Sequence, residues 1–181
     1  MLEPALEDAL RAFAGGRRYH AATIERWLAL DPADAQALLV LAQQLRLGEN
    51  QLRDLWDWAE EIAQRDRTAV AQVLSSEPLA AARQAHKVGR NDRLKLTKAA
   101  LRRLRFPQLS ATEDRLAGLA RRLELPRNVR ISFPDFLEGE EVRVEITATS
   151  PAALRAAAER LRAAADSTIC DEIFAVLGEA P

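Results

Sequence analysis

The chain has 181 residues, of which 48% are hydrophobic, and its 26 Lys or Arg against 27 Asp or Glu give a formal net charge of −1 at pH 7. This composition is typical of a folded globular protein and excludes a disordered chain. No apolar run approaches the roughly 18 residues that a membrane span needs, and the first residues include acids where a signal peptide carries basic residues. We therefore expect a cytoplasmic protein with no membrane partner.

Residues 1–86 are predicted to form a helical domain. Apolar residues recur at helical spacing over residues 2–13 and 21–30, and Asp31-Pro32 separates the second helix from a third that continues to Gly48. Asn50 is placed to cap a fourth helix, because its side-chain oxygen can accept from an orphan backbone N–H. Shorter helical pieces follow, so this part of the chain is interpreted as a compact helical bundle.

Residues 38–58 resemble a helix-turn-helix. Ala42 is the small residue where the two helices would touch, although Gly would be expected at the turn where Arg46 stands. A recognition helix offers basic or amide side chains to DNA, whereas Asp54 and Asp57 would be repelled by phosphates. The alternative is a pair of ordinary packed helices.

Positive charge is concentrated in residues 83–105, which hold nine basic residues and one acid, while residues 1–82 carry a net −5 and residues 106–181 a net −4. A change of composition near residue 87 predicts a domain boundary there, followed by a basic linker or helix over 87–106. The candidate nucleic-acid-binding residues are Arg83, Lys87, Arg90, Arg93, Lys95, Lys98, Arg102, Arg103 and Arg105.

Three interpretations of this basic segment remain open. Lys and Arg on one helix face supply the counterion release that dominates non-specific DNA binding. The same charge could instead meet an acidic protein partner. It could also pair within the chain, and the acids available for that in the fourth predicted helix are Asp54, Asp57, Glu60 and Glu61.

Residues 107–181 are predicted to form an αββα module. Ser110 followed by Glu113 fits a capping box for its first helix, and Ser150-Pro151 fits the start of its last. Between them the apolar period changes from 3.6 to 2, which predicts two antiparallel strands. A two-stranded sheet is marginal alone, so we predict a homodimer. Its candidate interface residues are Val129, Ile131, Phe133, Val142, Val144, Ile146, Leu154 and Leu161.

Residues 113–161 resemble the C-terminal dimerisation domain of ParB-type chromosome and plasmid partition proteins, which are bacterial DNA-binding proteins. The shared order is a helix, a "VxI" strand, a charged loop with Gly139, a "VxVEI" strand, a Ser-led turn and a Leu-rich helix. The resemblance implies dimerisation through the sheet and helices. The alternative is an unrelated αββα unit.

Few residues suggest catalysis. The single Cys170 cannot form an internal disulfide, and with only His20 and His86 beside it a structural zinc site lacks ligands. The sequence contains neither of the glycine-rich phosphate-binding motifs GxxxxGK[ST] and GxGxxG. We therefore predict no metal, no cofactor and no enzymatic activity.

Taken together, these features predict an α+β, mostly helical fold, with a helical N-terminal bundle followed by an αββα module that contains a two-stranded antiparallel hairpin. The predicted function is a non-enzymatic, dimeric DNA-binding or partition-like accessory protein that contacts phosphates through its basic helix. The alternative is a protein-interaction adaptor whose basic helix pairs with acidic domains or with an acidic partner.

Overall fold

The computed structural model of the chain describes residues 2–85 and 88–179. The chain divides into two compact units, residues 1–105 and residues 106–181, each built around a hydrophobic core. The predicted fold class is confirmed: the protein is mostly helical and contains one two-stranded antiparallel sheet in its described residues. No helix within those residues is both long and apolar enough to cross a membrane.

All regular elements in the described residues of the first unit are helices. Its helices are α1 (Pro4–Gly16), α2 (Ala21–Leu28), α3 (Pro32–Leu45), α4 (Glu49–Asp66), α5 (Val70–Ser75), α6 (Glu77–Arg83) and α7 (Arg90–Arg105). Pro32 occupies the first turn of α3, where the N–H it lacks would have had no helical partner, as the sequence predicts.

Aromatic side chains form the centre of the first core. Trp27 and Trp56 are fully buried with ring centroids 6.3 Å apart, and Tyr19 stacks on Trp27 at 6.5 Å. The Tyr19 hydroxyl donates to the carbonyl of Leu47 at 2.8 Å, and the Trp27 indole N–H donates to that of Ala35 at 3.1 Å. Burial raises the pKa of Tyr19 to about 12. The rings therefore bury apolar area without leaving these polar atoms unpaired.

The turn between α3 and α4 differs from prediction at its cap. Helix α4 begins at Glu49 with Gly48 as N-cap, and the Gln51 side chain accepts a hydrogen bond from the Gly48 N–H at 3.2 Å. The predicted cap at Asn50 is wrong, because Asn50 already lies in the first turn of the helix. Arg46, where the sequence favours Gly, is left-handed with φ 47° and ψ 49°, and it closes α3.

The basic helix α7 belongs to the first unit. It buries Leu94, Thr97 and Leu101, which recur at helical spacing, and it packs on α3, α4 and α6. The predicted boundary near residue 87 and the separate linker over 87–106 are therefore wrong, since the first unit ends at Arg105. The change of composition precedes the last helix of this unit and does not mark the end of its core.

The second unit contains α8 (Pro107–Arg122), β1 (Val129–Ser132), a 3₁₀ turn (Asp135–Leu137), β2 (Arg143–Ile146), α9 (Pro151–Ala165) and α10 (Thr168–Gly178). Ser150 caps α9 as predicted, because its Oγ accepts from the Ala153 N–H at 3.1 Å. The capping box predicted at Ser110 is wrong. Helix α8 begins at Pro107, which fits the first helical position, so Ser110 is buried inside the helix.

The sheet of the second unit is a hairpin of β1 and β2. Its register pairs Val129 with Ile146, Arg130 with Glu145, Ile131 with Val144 and Ser132 with Arg143. Opposite residues of antiparallel strands lie on the same face, so the hairpin has one apolar and one polar face. The core of this unit lies mainly between α8 and α10, whereas the described side chains that α9 buries are only Ala157 and Ala164.

Candidate functional site

Arg83, the first of the predicted phosphate-binding residues, has a structural role in the first unit. Its Nη2 donates to the carbonyl of Leu74 at 2.7 Å, and its Nε donates to the carbonyl of Leu79 at 3.3 Å. Burial lowers the pKa of Arg83 from its ordinary value. Because this guanidinium donates its hydrogen bonds to carbonyls of α5 and α6, it is not available to bind a phosphate.

Two of the basic side chains of α7 pair with acids on α4. Lys98 Nζ lies 3.0 Å from a carboxylate oxygen of Asp54, and Arg105 Nε lies 2.5 Å from one of Glu61. The Arg105 guanidinium also lies over the ring of Trp58, 5.7 Å from its centroid. These contacts join α7 to α4 along their length, so this positive charge is matched inside the unit.

The other candidate residues of the basic segment differ in exposure. Lys95 is highly accessible: its side chain is 81% exposed, and its ammonium is 3.9 Å from a carboxylate oxygen of Asp92. Arg102 is half-buried and Arg103 is exposed. Arg93 is half-buried, with a buried Nε that has no hydrogen-bond partner among the described residues. Lys87 lies outside the described residues.

Arginines also converge on the turn between α3 and α4. The carbonyl of Arg46 accepts from Arg17 Nη1 at 3.0 Å and from Arg90 Nη2 at 2.9 Å, and the carbonyl of Leu45 accepts from Arg90 Nε at 2.7 Å. These cations satisfy carbonyls at the end of α3, where the helix dipole favours positive charge. The exposed side chain of Arg46 itself lies at this turn.

The polar face of α4 is engaged within the unit. Besides the contacts with α7, Arg26 Nη2 lies 2.8 Å from Asp57 and 2.6 Å from Glu60, and its guanidinium lies 4.1 Å from the centre of the Trp56 ring. The Trp56 indole N–H donates to Glu60 at 2.6 Å. The helix-turn-helix interpretation of residues 38–58 stays a prediction, but its second helix turns these acids toward neighbouring helices of the same unit.

A polar cluster joins the start of α2 to the start of α4. Glu49 accepts hydrogen bonds from the backbone N–H of His20 at 3.2 Å, from its Nδ1 at 2.6 Å and from the Thr23 hydroxyl. The hydrogen bond from Thr23 is the main cause of a lowered pKa at Glu49. His20, which appears isolated in the sequence, thus has a partner 29 residues away. The cluster therefore ties the start of α2 to the first residue of α4 through one carboxylate.

The predicted dimer-interface residues fall into two groups. Val129 is buried, and Ile131, Phe133 and Val142 are half-buried, with the last three packed against the core of their own unit. Ile146 and Leu161 are half-buried as well. By contrast, Val144 is 37% exposed and Leu154 is 50% exposed. The second group gives the second unit apolar surface that its own core does not cover.

Other chemistry-bearing residues remain dispersed. Cys170 is a half-buried free thiol in α10. Within residues 2–85 and 88–179, no group of three or more His, Cys, Asp or Glu side chains is arranged to hold a metal ion. His86 lies outside the described residues.

No protein-family model, no curated protein and no solved structure matches the chain. The resemblance of residues 113–161 to the ParB dimerisation domain is therefore untested and stays a prediction.

Proposed function

We propose that the chain is a non-enzymatic interaction adaptor, in which the basic helix holds the first unit together and the second unit self-associates into a homodimer. The observation that carries this proposal is the inward pairing of α7 with α4. Lys98 and Arg105 meet Asp54 and Glu61, and Arg83 and Arg90 bind backbone carbonyls. All four side chains are engaged by groups of their own unit, two of them by carboxylates, which favours the adaptor over a helix that binds phosphates.

Exposed apolar side chains support self-association of the second unit. Large hydrophobic side chains that are at least 37% exposed include Phe136, Val144, Leu154 and Phe174 in this unit. Exposed apolar surface is typical of a protein-protein contact when it forms a patch. A two-stranded sheet also leaves strand edges that a second chain can satisfy.

A titration of a fluorescent random-sequence duplex, at low and moderate salt, tests the assignment of the basic segment. The adaptor proposal expects no salt-dependent binding by the wild-type chain, because α7 does not offer a row of unmatched cations. Phosphate contacts would instead produce an affinity that falls steeply as salt rises. Such a result would overturn the adaptor proposal.

DNA binding remains a second candidate because of the turn between α3 and α4. Arg46 is exposed at this turn, and Arg18 is exposed in the loop between α1 and α2, next to the Arg17 that binds the Arg46 carbonyl. No hydrogen bond or ion pair of the Arg18 or Arg46 side chain occurs within the described residues. If this turn contacts phosphates, replacing both with Gln should abolish duplex binding, whereas Lys95→Gln on α7 should not. The double variant leaves the α7–α4 ion pairs intact, so its loss of binding would not reflect unfolding of the unit.

Sedimentation velocity over a wide range of protein concentrations tests the homodimer. The proposal expects a sedimentation coefficient that rises with concentration toward that of a two-chain species. Replacing Leu154 with Gln should shift this equilibrium toward monomer if α9 contributes to the contact. A wild-type chain that stays monomeric throughout would remove self-association from the proposal.

A further inference from the structure

The outer edge of β2 is open. The sheet has only β1 and β2 in its described residues, and Arg143, Val144 and Glu145 are all exposed. Such an edge presents unpaired N–H and C=O groups that can pair with another strand. The question is which strand fits it.

The alternation of hydrogen bonds between β1 and β2 shows which residues of β2 direct their backbone N–H and C=O groups to that edge. The Thr147 N–H donates to the carbonyl of Asn128 at 2.8 Å, and the register places these two residues opposite each other. In an antiparallel pair, hydrogen-bonded and non-hydrogen-bonded positions alternate. The backbone groups of Arg143 and Glu145 therefore point toward β1, and those of Val144 and Ile146 point to the open edge.

The sequence around β2 is self-complementary when two copies run antiparallel. With Val144 opposite Val144 of the second copy, Arg143 of each chain faces Glu145 of the other, and Val142 faces Ile146. Every apolar residue then faces an apolar residue, and each of the two charged positions meets the opposite charge. Opposite charges in such pairs stabilise a sheet, whereas like charges directly opposite destabilise it.

Neighbouring registers lack this match. Centring the pair on Arg143 or on Glu145 places two like charges directly opposite each other at the close, non-hydrogen-bonded position. Centring it between Val144 and Glu145 places the apolar side chains of one strand directly opposite charged side chains of the other, on the same face of the sheet. Of these registers, only the one centred on Val144 meets three conditions together. The outward backbone groups of the two strands can hydrogen-bond, apolar side chains lie opposite apolar ones, and each charge lies opposite its counter-charge.

We propose that β2 is the homodimer interface: two copies of the chain pair through this strand in the register centred on Val144, giving a four-stranded sheet in the order β1-β2-β2-β1. This proposal rests on the self-association proposed above and specifies its site. Within such a sheet, Glu145 lies between Arg130 of its own hairpin and Arg143 of the second copy. The polar face thus carries alternating charge across both hairpins.

Charge reversal tests the pairing. Arg143→Glu places glutamates opposite each other twice in the dimer, so we expect the dimer dissociation constant to rise roughly tenfold or more. Glu145→Arg should do the same with arginines. A mixture of the two single variants should form a heterodimer as tight as the wild-type dimer. In that heterodimer the introduced glutamate faces the introduced arginine, and the remaining native Glu145 faces the remaining native Arg143, so both cross-strand pairs again join opposite charges.

The mixture separates an interface effect from damage to the fold. Glu145→Arg also faces Arg130 within its own hairpin, so the variant could lose stability by itself; rescue by the Arg143→Glu chain would still show that the two strands meet. Arg121→Glu, the same charge change at an exposed position of α8, is the matched control and should leave the dissociation constant unchanged. Failure of the mixture to associate while wild type dimerises would overturn the proposed register.

Cysteine cross-linking tests the register in chains that carry Cys170→Ala. Val144→Cys should form an interchain disulfide on mild oxidation, because opposite hydrogen-bonded positions have Cα atoms about 5.5 Å apart, within disulfide reach. Arg143→Cys alone should not link, but mixed with Glu145→Cys chains it should. Linking by Arg143→Cys alone would indicate a register centred on Arg143 and would overturn the proposed one.

The outcomes distinguish this inference from the proposed function. A wild-type chain that never dimerises overturns both. A wild-type dimer that resists charge reversal and does not cross-link through Val144→Cys overturns the β2 pairing, while self-association through another surface of the chain stands.

Discussion

At the scale of single residues, Arg46 occupies a conformation that costs energy. Its φ of 47° lies in the left-handed region, where a side chain with Cβ is disfavoured and Gly is not. Only the backbone carbonyl of Arg46, and not its side chain, receives the hydrogen bonds of Arg17 and Arg90. We expect Arg46→Gly to raise the free energy of unfolding by about 0.5–1 kcal/mol.

Urea denaturation followed by tryptophan fluorescence measures this change. Arg67, which closes α4 with φ 54°, is the matched position, and Arg67→Gly should stabilise to a similar extent. Arg46→Ala should give no such gain, since Ala retains Cβ. A destabilised Arg46→Gly chain would show that the Arg46 side chain stabilises the turn.

Glu49 predicts a pH dependence at the same scale. Its pKa is held below the ordinary value, first of all by the hydrogen bond from Thr23, so the native state favours the ionised carboxylate. A lowered carboxyl pKa contributes stability above the unfolded value, near 4.5, and this contribution is lost as pH falls through the lower native value. We expect Glu49→Gln to lower the free energy of unfolding by about 1–2 kcal/mol at pH 7, since the carboxylate loses charge-assisted hydrogen bonds.

The same substitution should cost less in acid, because the wild-type carboxylate is then protonated as well. Urea denaturation of both chains at pH 7 and in acid checks this. If the two proteins differ in stability by the same amount at both pH values, then the hydrogen bonds that Glu49 accepts stabilise the fold and its charge does not.

At the scale of elements, the α7–α4 contact is open to a direct test. Lys98→Glu places a carboxylate beside Asp54 and should lower the free energy of unfolding by about 1 kcal/mol, since a partly exposed ion pair becomes a repulsion. Lys95→Glu, one turn away with an 81% exposed side chain, is the matched control and should change stability little. Asp54→Lys combined with Lys98→Glu should restore stability, because the exchanged charges attract each other again. The double-mutant cycle then measures the energy of the pair. Equal losses in both single variants would argue against a specific pair.

The elements themselves can largely be predicted from the sequence. Helical spacing of Leu94, Thr97 and Leu101 shows that residues near 90–105 form a helix with a buried face, and alternation of Val142, Val144 and Ile146 shows a strand. These patterns report that a face is buried, but not which element covers it. The sequence alone therefore favours a separate linker for the basic helix, although the helix packs on α3, α4 and α6.

Contacts of the candidate site are harder to predict. Arg26 meets Asp57 and Glu60, more than 30 residues away, and His20 meets Glu49 across 29 residues. Local spacing carries no information about such pairs, since they depend on how α2 and α4 pack. The charge count identifies the acids of α4 as possible partners of the basic segment, but it cannot show that Lys98 and Arg105 are the residues that pair with them.

In the molecule as a whole, the tryptophans and the single cysteine lie in different units, so the unfolding of each unit can be measured separately. Trp27, Trp56 and Trp58 are the only tryptophans and all lie in the first unit, whereas the single Cys170 lies in the second. Intrinsic fluorescence thus reports unfolding of the first unit. Thiol labelling of half-buried Cys170 reports opening of the second.

This arrangement yields a prediction about where the chain self-associates. Dimerisation stabilises the part of the native state that forms the interface, and the effect grows with concentration by mass action, reaching about 2.7 kcal/mol at 100 times the dissociation constant. In urea, the midpoint for Cys170 labelling should therefore rise with protein concentration, while the tryptophan midpoint stays fixed. Arg143→Glu should remove the dependence at Cys170. A concentration-dependent tryptophan midpoint with an unchanged thiol midpoint would place self-association in the first unit and leave the β2 edge without a partner.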